Sequence, residues 1–188
     1  MNEVPPQRRL LCVFLVLATT GSVIAGETER LQNWPSWRGP LRTGVAPHAD
    51  PPTEWNEDRN VRWKTKLPGN GHSSPVVWDD SIFVTAAVKY GPVLPPVPVT
   101  APGAHDNVDV TQRHKFVVTC INRADGSIRW QKTVADTLPH EGGHDTGSLA
   151  SGSPVIDGEH VYAHFGSFGL YALNFAGELQ WKHELPKL

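Results

Sequence analysis

Residues His140-Glu141-Gly142-Gly143-His144 satisfy the pattern H-E-x-x-H, in which two histidines hold zinc and the glutamate activates water for hydrolysis. That chemistry needs a helix, because only a 3.6-residue period brings both imidazoles onto one face. Two adjacent glycines inside such a helix cost about 1 kcal/mol each relative to alanine. Pro139 precedes the motif and Asp145-Thr146-Gly147-Ser148 follows it, so no amphipathic flank supports a helix. The segment reads as a solvent-facing connecting loop, with a nonhelical metal site that includes Asp145 as the remaining metal reading. His160 and His164 share a face if they lie on a strand, but they would stand ~13 Å apart, too far to chelate one ion by themselves. Cys120, within Val117-Val118-Thr119-Cys120-Ile121, reads as a small buried hydrophobe rather than a nucleophile. No residue is assigned a catalytic or metal-binding role, and no cofactor-binding residue can be named.

The elements that would position these residues come from an internal repeat. Ser74-Pro75-Val76-Val77-Trp78-Asp79-Asp80-Ser81-Ile82-Phe83-Val84 aligns with Ser153-Pro154-Val155-Ile156-Asp157-Gly158-Glu159-His160-Val161-Tyr162-Ala163. Each is a short apolar strand, an Asp-Asp or Asp-Gly turn and a second strand. Asp157-Gly158 suggests a tight hairpin turn whose two central positions both take positive φ. A second hairpin follows each time. Val117–Asn122 turns through Ala124-Asp125-Gly126 into Ser127–Trp130, and Leu170–Asn174 turns through Ala176-Gly177 into Glu178–Lys182. The unit is four antiparallel strands closed by a glycine turn and a tryptophan. Trp63, in Val61-Arg62-Trp63-Lys64, would end the last strand of a preceding, incomplete unit. Trp130 and Trp181 lie 51 positions apart, and Trp63 and Trp130 lie 67 apart. The excess falls in a Pro-rich insertion, placed at residues 88–113, with Pro92, Pro95, Pro96, Pro98 and Pro102; it cannot be central strand or helix. Glycine and proline, 17 of each in 188 residues, exceed the ~12% usual for the pair and favour short strands with many turns. Four strands per repeat and a recurring aromatic indicate propeller blades. An ordinary sandwich would explain the strands but not the matched order of Ser-Pro, Asp turn, Gly turn and Trp.

That order resembles the pyrroloquinoline-quinone-like (PQQ-like) repeat, roughly S-P-V-V-D-G-x-V-Y followed by G-x-L-Y-A-L-D-x-x-T-G-x-x-x-W. Residues 153–181, SPVIDGEHVYAHFGSFGLYALNFAGELQW, match it closely, and residues 74–130 match more loosely. NWPSWRGPLRTGV, with PPTEWNEDRNVRWKTKLPGNGHSSPVV after it, resembles the opening of secreted bacterial proteins of this class. The resemblance implies an all-β fold, a partial β-propeller of about two four-stranded antiparallel blades plus an N-terminal arm. It also implies that Trp63, Trp130 and Trp181 pack between neighbouring blades. For function it implies two readings. A noncatalytic propeller would display loops to a protein or carbohydrate partner, like the propeller component of outer-membrane assembly, and would need no cofactor. A quinone-dependent alcohol or sugar dehydrogenase would need PQQ with calcium, an aspartate base and a complete ring of blades. The sequence has no vicinal cysteine pair and no acid assignable as that base, and a repeat does not carry an activity with it. The binding or scaffold module is the expected function.

The N-terminus sets the compartment. Arg8 and Arg9 precede an apolar run over residues 10–18, and Val23-Ile24-Ala25 offers a cleavage site after Ala25, so residues 1–25 read as a secretory signal. The run falls short of the ~20 apolar residues that a membrane span needs, and Thr19, Thr20, Gly21 and Ser22 interrupt it. A periplasmic or secreted product with no membrane span is expected. Processing removes Arg8, Arg9 and Glu3, taking the formal charge from −2 to −3, and Cys120 then has no internal disulfide partner. No basic stripe is present to hold a phosphate backbone, so nucleic acid is not an expected partner. Residues 26–60 read as the arm and 61–188 as the repeats. In the arm, Trp34, Trp37 and Arg38 suit either packing against the propeller or an aromatic ligand platform. Two repeats and one fragmentary strand fall short of the four to eight blades of a ring, so further blades are expected in a longer chain.

Overall fold

Apolar β-branched runs broken by Asp and Gly turns should form short antiparallel strands, and they do. The computed structural model describes residues 26–96 and 107–186. The signal expected at 1–25 and the centre of the insertion, 97–106, lie outside the described residues. Among those described, no helix is long and apolar enough to cross a membrane. The first blade comprises β1 (Val76–Trp78), β2 (Ser81–Tyr90), β4 (Arg113–Asn122) and β5 (Ile128–Thr137), hydrogen-bonded in that order. The second comprises β7 (Val155–Ile156), β8 (His160–His164), β9 (Leu170–Asn174) and β10 (Leu179–His183), again neighbours in chain order. Every pairing is antiparallel, and neither sheet closes on itself. The chain is a partial β-propeller.

The core lies between the two blades. Phe83, Phe116, Val118 and Cys120 of the first sheet pack with Val161, Ala163 and Leu173 of the second and with Phe165 just after β8. The Phe116 ring stacks on Phe168 at 4.6 Å and meets Phe165 edge-on at 5.3 Å. Burial raises the Cys120 thiol pKa, consistent with a packing role.

The turns differ from the sequence reading in one detail. Asp157-Gly158 does not form a two-residue turn with both φ positive; β7 and β8 are joined by three residues, and only Gly158 (φ 107°) is left-handed. The Asp157 carboxylate instead accepts the N–H groups of Glu159 and His160, so its side chain supplies the turn's hydrogen bonds. In the first blade Asp79 takes the positive φ (50°), held by Asn33 Oδ1 on its N–H and by Arg123 on its carbonyl.

Two other boundaries move. β2 and β4 stay paired through Tyr90 and Arg113, so the insertion runs over 91–112 rather than 88–113. Asp136 explains the extra length: it accepts from Tyr90 Oη and from Arg113, tying three strand ends together. Residues 61–67 around Trp63 are not in a sheet among the described residues. An outermost strand pairs with the third strand of its own blade, and the described residues before Trp63 contain no such strand.

Candidate functional site

One end of the first blade carries its two longest connections, residues 91–112 between β2 and β4 and residues 138–154 after β5. They meet in a two-stranded ribbon. β3 (Asn107–Val108) pairs with β6 (Gly143–His144), with Asn107 opposite His144 and Val108 opposite Gly143. The H-E-x-x-H segment is therefore partly strand and nowhere helical. Its histidines serve different places. His140 Nε2 lies 2.9 Å from Ser167 Oγ in the second blade, with its ring over Phe168, whereas His144 meets Asp145 and Thr146. Among the described residues no three His, Cys, Asp or Glu side chains gather as a metal site. His160 and His164 begin and end β8, and His160 sits 3.6 Å from Asp157.

Behind the ribbon is a cleft of about 170 Å³, bounded by Lys89, Asp109, Gln112, His114, Asp145 and Ser148 among others. His114 was not singled out by the sequence, where it is one polar residue at the start of an apolar run. It is 6% exposed, and its Nδ1 lies 3.0 Å from the Gln112 carbonyl. A carbonyl only accepts, so Nδ1 carries the proton and Nε2 is left as an acceptor. Burial lowers the His114 pKa, the Gln112 carbonyl partly opposes this, and the Lys89 charge adds to the lowering. The ring is thus neutral at physiological pH. A neutral imidazole acceptor, the Lys89 ammonium and the Asp109 and Asp145 carboxylates can hydrogen-bond a polar ligand or a peptide backbone.

The tryptophans singled out by the repeat occupy corresponding positions. Trp130 at the outer edge of the first blade donates its indole N–H to the Phe175 carbonyl at 2.8 Å. Its ring lies over Gly177 in the second blade's turn, where a Cβ would come within 2.8 Å. Trp63 does the same one unit earlier, donating to the Arg123 carbonyl at 3.0 Å with its ring against Gly126. Trp181 is 44% exposed and contacts Tyr162 of its own sheet at 5.9 Å. A fourth ring, Trp78, lies against Gly158 of the next blade, a contact that no spacing in the sequence indicated.

No curated protein matches the chain. Residues 52–187 match the family described as outer membrane protein assembly factor BamB. With both four-stranded sheets inside that range, the chain belongs to this family of PQQ-like repeat proteins.

Proposed function

We propose that this chain is part of an exported propeller that binds a protein or carbohydrate partner through the loop end of its first blade and performs no chemistry of its own. The observation that supports this reading is the β3–β6 ribbon, which joins two separate connections into one surface with a polar cleft behind it. Long connections on a rigid scaffold are where binding residues concentrate. Export follows from the signal at residues 1–25, with the mature chain starting near Gly26; N-terminal sequencing of the product tests that part. Partner binding is tested with a photo-crosslinking side chain at Val108, which is 47% exposed on the ribbon, and at Lys182 on β10 as control. Saturable adducts from position 108, competed by unlabelled chain and missing at 182, are the expected result, with a glycan array covering carbohydrate partners. Calcium-dependent uptake of PQQ with dye-linked alcohol oxidation would overturn the reading in favour of the dehydrogenase.

A further inference from the structure

The N-terminal arm stitches the innermost strands of the two blades together. Trp34 exchanges both backbone hydrogen bonds with Val77 next to it, at 3.0 and 2.9 Å, and Ile156 N–H donates to the Pro35 carbonyl at 2.8 Å. The arm then folds back on itself: Gly39 N–H donates to the Ser36 carbonyl, Gly44 N–H to the Arg38 carbonyl, and Arg38 Nη2 to the Thr43 carbonyl. This separates the two roles open to the arm's aromatics. Trp34 is half-buried over Gly39, while Trp37 is 64% exposed with the Arg38 guanidinium 5.7 Å from its ring centre.

Between this loop and β7 lies a cleft of about 560 Å³. Arg30, Arg38 and Arg42 line it, with Trp37 and Val155 as apolar walls. None of these three arginines has an ion-pair partner among the described residues, whereas Arg59, Arg113 and Arg129 each meet a carboxylate at 2.6–3.0 Å. Asp157 also lines the cleft, but its carboxylate already accepts from Tyr162 Oη and two backbone N–H groups. Three cations thus face one engaged anion in a chain whose formal charge is −2. Cleavage after Ala25 would add the Gly26 ammonium to the same cleft.

We infer that this cleft binds a small ring molecule bearing one or two oxyanions. Guanidinium forks match carboxylate, sulfate and phosphate oxygens, and an exposed indole offers a face for a ring. The volume falls in the range of small-molecule sites. Two sources share this chemistry, an acidic sugar and an aromatic acid. The proposal is independent of the loop-end reading, and either can fail without the other.

The test is calorimetric titration of the full chain with digalacturonate, with phthalate and with sodium sulfate. Saturable binding of one ring acid, weakened about tenfold or more by Arg42→Gln and by Arg38→Gln, is expected. Arg42 makes no side-chain hydrogen bond within the loop, so its substitution leaves the arm intact where Arg38→Gln could loosen it. Trp37→Ala should weaken the ring acid and leave sulfate unchanged. Preference for digalacturonate assigns a sugar acid, and preference for phthalate an aromatic one. Failure of both acids to saturate, or binding indifferent to both arginine substitutions, would overturn the proposal. Sulfate binding as tightly as either acid would overturn it too.

Discussion

The two blades share one plan and differ at one end. The second joins β8 to β9 through residues 165–169, a single 3-10 turn, while the first opens the same connection into residues 91–112 and runs β2 and β4 to ten residues each. At the opposite end both blades use tight turns, with Gly126 and Gly177 each beneath a tryptophan from the preceding unit. The plain blade shows what the fold requires. What the first blade adds is the surface proposed for binding, and the shared features are expected to carry the stability.

The shared core should give the largest effect. Phe116 has no exposed surface and meets Phe165 and Phe168 across the blade interface. Phe116→Ala should cost about 3–5 kcal/mol in urea denaturation. Gly177→Val comes next. Its φ of 83° disfavours any side chain, and a Cβ would enter the Trp130 ring, so about 2 kcal/mol or more should be lost. The tryptophans then separate the blades. Trp130→Phe removes the hydrogen bond to Phe175 and should cost about 1 kcal/mol, while Trp181→Phe, on an exposed strand, should stay within ~0.5 kcal/mol. Equal losses at both positions would break the comparison.

The smallest effect is a pH dependence on the elaborated blade. Burial lowers the His114 pKa, so protons bind the unfolded chain first. The stabilisation is complete above the unfolded value of about 6.5 and declines as pH falls from there toward the lower folded value. Urea midpoints from pH 8 to pH 5 should fall across that window and flatten in His114→Asn. An unchanged slope in the variant would assign the dependence elsewhere.

The repeat was legible because it is written in local chemistry. Ser-Pro entries, Asp turns and Gly-turn-Trp endings each depend on a few adjacent residues, and both sheets followed from them. The turn at Asp157 was read with the wrong geometry because its carboxylate, rather than a second positive φ, satisfies the backbone. The ends of the insertion were misplaced because the Tyr90, Arg113 and Asp136 network joins residues far apart in sequence. The two clefts were illegible for the same reason. His114 comes to line one cleft with the β3–β6 ribbon, and Arg30, Arg38 and Arg42 another with β7, only after the chain has folded. Sequence did bring forward Trp37 and Arg38, through their composition, but not the two arginines that complete the cleft.

The most direct test of the division between scaffold and display is to replace residues 93–108 with a short glycine-containing turn, keeping the buried Val110 in place. Urea denaturation and crosslinking, with the probe moved to exposed Asp145, are then read on the same protein. The account predicts that the unfolding midpoint changes little while adducts at the loop end disappear. A variant that unfolds without the insertion, or one that keeps its adducts, would contradict it.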